Sequence, residues 1–458
     1  MKKFNLKLII FLIITILFSI YVFIFSILGT NEFVKIKTLL NHEQRQLIKR
    51  YLFPYKLISQ QEKEISRISK ILPNLELEKK NNGTDISIKQ SKIKLSNRKT
   101  LEKYKLLSGF YNGINFIFPG SGYIDFYENN IFVLSSRGIL AYIEDLDDDK
   151  KNFKQVKNNI NEFIGLNQFK KHNGFSLKDL LIIDDKIFVS FTEEIKENCW
   201  NTSVIYADMN YESIKFRKLF TPQRCIHAFD NKDLDFNSIQ SGGKLVSFGK
   251  NNILLSIGDY RSRYLAQDKK SINGKIVRVN IINKRYEIIS MGHRNPQGLY
   301  YDEENKFILE TEHGPKGGDE INLILIDKIN QDKIQNYGWP ISSAGEHYEK
   351  VLIKDKEIYE KYPLYKSHEE YGFIEPLYSF VPSIGISEVL KITKNQYVVS
   401  SLGAKSLYFF ELNKSKEIIN LNKVNVFERV RDLRLRNNKL YLFMENSASI
   451  GVIDINIK

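Results

Sequence analysis

The sequence predicts an all-β fold, a six-bladed β-propeller, preceded by an N-terminal transmembrane helix and a short helical stalk. Three observations carry that expectation. A turn rich in Asn, Asp, Glu or Lys followed by a run of β-branched or aromatic residues recurs six times. Each copy is trailed by a further strand-like segment. Near the N-terminus lies an uncharged run long enough to cross a bilayer.

That run, LIIFLIITILFSIYVFIFSIL at 8–28, holds no charge over 21 positions. At about 1.5 Å per residue it spans a hydrocarbon core of about 30 Å. It exceeds the apolar region of a secretory signal, and no small-x-small cleavage site follows. Lys2, Lys3 and Lys7 precede it, so the positive-inside rule keeps the N-terminus in the cytoplasm. Residues 1–28 therefore read as a single-pass anchor in the inner membrane, with the rest of the chain on the periplasmic side.

Residues 29–108 read as a stalk and linker. Leu39, Leu40, Leu47, Ile48, Tyr51 and Leu52 fall at helical spacing until Pro54; Ile58, Ile65, Ile68, Ile71 and Leu72 do so until Pro73. The pattern leaves room for oligomerisation through the stalk but is too short to establish a coiled coil. The lysine-rich run from Glu78 to about Lys105 reads as a linker or a loosely packed strand.

Residues 109–458 carry the repeat: YENNIFVLSSRG (127–138), IDDKIFVSFTEE (183–194), GKNNILLSIGDY (249–260), DEENKFILETEH (302–313), TKNQYVVSSLGA (393–404) and RNNKLYLFMENS (436–447). Trailing strands are expected at 139–143, 203–208, 275–281, 321–326, 406–412 and 450–455. The spacing is uneven, as propeller blades with unequal insertions give. Roughly 350 residues of such hairpins are too many for one sandwich. The aromatic content, 25 Tyr and 30 Phe, suits β-structure.

A formal charge of +14 raises nucleic acid as a partner, but the lysines are dispersed and no Lys/Arg cluster interleaves with aromatics. A basic surface beside anionic lipid fits better. Cys199 and Cys225 flank a strand and turn. A disulfide outside the cytoplasm and two buried thiols are both open readings.

The densest stretch is GHRNPQGLYYDEENKFILETEHGPKGGDEINLI at 292–324, followed by NYGWP at 336–340. It resembles the signature of the quinoprotein glucose/sorbosone dehydrogenase family, soluble aldose dehydrogenases that use pyrroloquinoline quinone (PQQ) with calcium. The resemblance is weaker over about 110–458 and absent from the first hundred residues. It implies the same six-bladed fold and a small-molecule sugar or alcohol as substrate. PQQ carries three carboxylates and a quinone, so its site needs cationic side chains and a base for the substrate hydroxyl proton.

By the resemblance, Arg294 and Asn295 lie near the quinone oxygens, and the carbonyls of Gly314 and Pro315 hold calcium. Ser383 and Gly385 line the cofactor, and Arg429 and Arg431 bind its carboxylates. On a strand these two arginines share a face. The family's cofactor lysine corresponds to Gly403, and Lys405, two residues on, is the candidate to bind the cofactor in its place.

Two departures bear on turnover. The motif headed by the family's catalytic histidine reads Gln240-Ser241-Gly242-Gly243-Lys244-Leu245 here, preceded by Ile239 in place of an acidic group. A carboxamide cannot act as a general base. The substrate-contacting Gln-Gly-Gly-Leu-Leu corresponds to Gly174-Phe175-Ser176-Leu177-Lys178, and His172 and His227 lie nearby in sequence. Two functions follow: a membrane-anchored, PQQ- and calcium-dependent dehydrogenase with an altered or relocated base, or a propeller that keeps the ligand cradle as a binding module.

Overall fold

All six turn–strand copies fold as the hairpin between the first and second strands of a four- or five-stranded sheet. Their turns hold residues in the left-handed region, among them Asn251, Lys306, Asn437 and Asn438. Positive φ at both Asn437 and Asn438 is what a two-residue hairpin turn twisted to match its strands requires. The computed structural model describes residues 85–455 except 97–98, 108–120, 145, 147–151, 173, 234, 331, 349–356 and 358–359, together with 12, 14–16, 18–19, 22, 58–59 and 61–65.

The chain divides into two units, 1–72 with 349–361, and 73–348 with 362–458. In the first, the described positions of 12–22 and 58–65 are helical. Most of the expected span at 8–28 and of the stalk lies outside the described residues. Among the described residues no helix is long and apolar enough to cross a membrane.

The second unit is a six-bladed propeller. Its innermost strands are Gly122–Tyr127, Leu177–Ile183, Gly242–Ser247, Pro296–Asp302, Ile386–Lys391 and Val430–Arg436. Each packs against the next and the last against the first, which closes the ring. Every interface between neighbouring blades holds its own apolar cluster. Burial of these sheet faces against one another, at roughly 25 cal/mol per Å² of apolar surface, is what binds the blades together.

The last blade corrects the boundary drawn at 108. Ile88–Lys94 and Thr100–Leu106, within the stretch expected as a linker or a loosely packed strand, are the two outer strands of the sheet completed by Val430–Arg436, Lys439–Met444 and Ser449–Asp454. Leu101 pairs with Ile453 and Tyr104 with Ile450. Leu101, Tyr104 and Leu106 are buried, although the polar residues between them hide the strand period in the sequence. The N-terminal side of the propeller thus locks onto its C-terminal end.

Cys199 and Cys225 are disulfide bonded, with Cα atoms 5.3 Å apart. The bond lies beside the pairing of Cys199–Asp208 with Ile226–His227.

Candidate functional site

Each innermost strand sends at least one residue into a common cavity of about 270 Å³: Tyr123, Lys178, Lys244, Gln297, Glu388, and Arg431 with Asp432. The cavity therefore sits on the axis of the ring. Loops entering the innermost strands add Asn295, Arg429 and Ile239, and loops after the second strands add His313 and Leu402.

The paired arginines share a face, as their spacing predicts, and converge on one carboxylate. Arg429 Nε donates to Glu445 Oε2 at 2.9 Å and Arg431 Nε to Glu445 Oε1 at 2.6 Å. Ser121 Oγ also donates to Oε1, at 2.8 Å. Burial works to raise the Glu445 carboxyl, but the Arg431 and Arg429 guanidiniums outweigh it and hold the group below its usual range. Arg431 keeps Nη1 free of Glu445 and donates with it to Gln297 Oε1 at 3.0 Å, from the blade of Pro296–Asp302. Gln297 in turn donates to Asn295 Oδ1 at 3.0 Å. The arginine pair and the Asn295 loop are thus one connected wall.

Arg294 is buried behind that wall. Its Nη1 donates to the carbonyls of His313 at 2.8 Å and Gly314 at 2.7 Å. The guanidinium carbon lies 5.3 Å from the Trp339 ring centroid and 5.8 Å from that of Tyr348. With its amide oriented to satisfy its neighbours, Gln240 accepts from Arg294 Nη2 at 2.9 Å and Arg261 Nε at 3.1 Å, and donates to Asp259 Oδ1 at 3.1 Å. Trp339 Nε1, from the NYGWP segment, donates to Asp259 Oδ2 at 2.8 Å. Gln240 is therefore a fully bonded strut, buried in the slot where the resemblance expects a base.

The other histidines fare differently. His172 Nδ1 accepts from Gly174 N at 2.9 Å and lies 2.6 Å from Ser238 Oγ, so its lone pair is used. His227 Nδ1 accepts from Asp230 N at 3.0 Å in a surface turn. His313 does line the cavity, its ring bonded to the Ile386 carbonyl and its Nε2 buried without a partner.

The Gly314–Pro315 turn lies beside Ser383, whose Oγ accepts from Gly318 N at 3.0 Å and is 3.4 Å from the Pro315 carbonyl, but Gly314, Pro315, Ser383 and Gly385 do not line the cavity. Both carbonyls assigned to calcium face protein donors, Gly314 a guanidinium and Pro315 the Gly318 N–H at 3.2 Å and the Ser383 hydroxyl. In this arrangement they do not fit a calcium ion, because the adjacent charge is already a cation.

Gly385 has a positive φ and approaches Gly403 so closely that a Cβ on it would lie 2.7 Å from Gly403 N. A Cβ at Gly403 would in turn lie 2.8 Å from the Ile384 carbonyl. Glycine in the family's lysine slot is thus tied to this contact. The Lys405 side chain is exposed and does not line the cavity, whereas Leu402 of the same loop does.

Below the arginines the channel holds an ionic plug that the sequence did not reveal. Lys244 Nζ lies 3.1 Å from Asp179 Oδ1 and from Asp432 Oδ1, and also pairs with Glu388. Arg434 Nη1 lies 2.8 Å from Asp432 Oδ1. All are buried, or nearly so, on innermost strands. Glu445 and Lys178 were likewise missed. Their one signal is a charge placed next to or within an apolar inner-blade strand.

The profile of the family described as glucose/sorbosone dehydrogenase matches residues 124–452. Aldose sugar dehydrogenase YliI of Escherichia coli K12 is 29% identical over 205 residues, 40% of this chain and 51% of that protein. The chain thus spans about half the length of the curated relatives it matches. Among solved structures, the soluble aldose sugar dehydrogenase of E. coli in its apo-form aligns with a TM-score of 0.56 at 20% identity, over 77% of this chain and 98% of that one. The PQQ-bound aldose sugar dehydrogenase of Streptomyces coelicolor aligns at 0.51 and 16%, over 74% and 99%. At these identities the structural likeness shows the propeller fold.

Proposed function

We propose, from the premise that this chain belongs to the glucose/sorbosone dehydrogenase family, that it holds PQQ in its axial cavity and oxidises a small sugar or alcohol. The observation that carries this reading is the wall formed by Arg429, Arg431, Gln297 and Asn295. Guanidiniums already aligned by Glu445 suit a carboxylated ligand, since charge-assisted bonds to carboxylate gain most from fixed geometry. A volume of about 270 Å³ matches a compact planar molecule rather than an oligosaccharide.

When bound, PQQ supplies the two-electron acceptor for the substrate C–H bond. The chain's own residues orient and desolvate. Arg429 and Arg431 hold carboxylates, and Asn295 and Gln297 fix the ligand's edge. Ile239, 52% exposed at the cavity, offers the incoming substrate an apolar surface. Gln240 moves no proton. It holds Arg294 in place instead.

A second reading, a propeller that binds a ligand without turning it over, is favoured by Gln240 itself, whose bonds to Arg294, Arg261 and Asp259 leave no proton acceptor in that slot. The two readings part in dye-linked oxidation of an aldose panel by the PQQ-loaded full chain in detergent. The dehydrogenase reading expects turnover, raised in Gln240→His by about 10²-fold or more if only the base is lacking. No turnover in either protein, with PQQ bound to both, would leave the binding module.

The reading places the propeller outside the cytoplasm, tethered by residues 8–28. The uncharged run with Lys2, Lys3 and Lys7 before it supports this. So does the Cys199–Cys225 disulfide, which persists in oxidising compartments.

A further inference from the structure

The cavity contains one cation that neither the arginine pair nor the plug accounts for. Lys178 stands on the innermost strand Leu177–Ile183, half-buried, and lines the cavity with Arg431. Its stem is fixed by Gly243 on the neighbouring strand, where a Cβ would come within 2.2 Å of the Lys178 Cβ. Its ammonium donates to the Gly174 carbonyl at 2.7 Å, and among the described residues no carboxylate pairs with it. The charged and titratable groups that face it are Arg431 from Val430–Arg436, Arg137 from the turn after Asn130–Ser135, and His172 ahead of its own strand. The Tyr123 hydroxyl, from Gly122–Tyr127, bonds the Leu177 carbonyl instead.

A lysine crowded by two guanidiniums, with no counter-ion, is an unfilled electrostatic place. We infer that Lys178 is a third cationic contact for a carboxylate of the ligand in this cavity, and that it takes up a proton as that ligand binds. The inference rests on the proposed cradle and deepens it. The ammonium that Gly403 cannot supply comes from an inner strand rather than from the loop. Burial first, then Arg431 and Arg137, push the Lys178 amine down to about 7. An arriving carboxylate reverses the sign of the local field and draws the proton back. Binding is then strongest below about pH 7 and weakens as pH rises through that value. His313, held neutral mainly by burial, adds no change there. Glu388, which also lines the cavity, is paired with Lys244, and any titration of it would persist without Lys178.

The test is calorimetric titration of the full chain in detergent with PQQ and, separately, with benzene-1,3,5-tricarboxylate. Each is run in two buffers of different ionisation enthalpy, at about pH 6 and about pH 8.5. Wild type should lose about thirtyfold in affinity between the two and take up close to one proton per ligand at the higher pH. Lys178→Met should bind more weakly by about tenfold or more at the lower pH, and should lose the share of the pH dependence and proton uptake that Lys178 carries, leaving only what Glu388 contributes. Lys178→Arg should keep its affinity at the higher pH, because a guanidinium stays charged. PQQ binding by Lys178→Met with wild-type affinity and proton uptake would overturn the inference and leave the cradle standing. Lys178-dependent binding of the tricarboxylate but not of PQQ would uphold the inference and remove the PQQ reading. Binding of neither would remove both.

Discussion

The Arg294 guanidinium donates to the Gly314 carbonyl oxygen at 2.7 Å, so a side-chain cation holds the oxygen that the family resemblance gives to calcium. Ligand binding should therefore be indifferent to calcium. Affinity for PQQ, measured with excess chelator and again with millimolar calcium, should agree within about twofold, well under the tenfold that one lost charge contact of about 1.4 kcal/mol represents. Arg294→Ala should introduce a calcium dependence by freeing the carbonyl. A strict calcium requirement in the wild type would mean that Arg294 withdraws from Gly314 on binding.

Lys244 faces three buried carboxylates, Asp179, Glu388 and Asp432. Replacing it by Met leaves three buried carboxylates to Arg434 alone, and such uncompensated buried charge costs about 3–5 kcal/mol. Urea unfolding of Lys244→Met should show a loss of that order. Burial raises the carboxyls of Asp179 and Glu388, so acid should narrow the gap between variant and wild type as they protonate.

Closure of the ring by the chain's N-terminal side predicts where it can be cut. A chain starting at residue 85 keeps both outer strands of the last blade and should melt as the whole propeller does. One starting at 109 loses them, leaves the Ser449–Asp454 edge unpaired and should be less stable or aggregate. Leu101→Ala, a buried truncation in that seam, should cost about 2–5 kcal/mol.

The Cys199–Cys225 bond closes a loop of sequence separation 26. Removing it by Cys199→Ser with Cys225→Ser should lower stability by about 2–4 kcal/mol, and reductant should lower the wild type's melting temperature to match. An unchanged melting temperature would mark the bond as dispensable.

The second strand of every blade was legible because its turn chemistry is local. Asn437 and Asn438, or Asn251 and Lys306, announce a hairpin wherever they fall between apolar runs. The innermost strands were harder to read, because their charged residues look like solvated positions until six strands meet on one axis. Lys178, Lys244, Glu388 and Asp432 become partners or neighbours only through ring closure. Leu101 and Ile453 are an extreme case, adjacent in the sheet and far apart along the chain. Within the site, Arg429 and Arg431 were found from strand alternation, and the Glu445 that aligns them was not. Lys405 drew attention by nearness in sequence to a motif, yet its side chain is exposed outside the cavity.

Absorbance titration of the full chain with PQQ, in wild type and in Arg431→Ala, measures the cradle most directly. Saturable binding is expected in the wild type. A loss of about tenfold or more is expected in the variant, consistent with about 1.5–3 kcal/mol for a hydrogen bond to a charged group. Equal affinity in the two proteins, or no bound quinone spectrum in either, would contradict it.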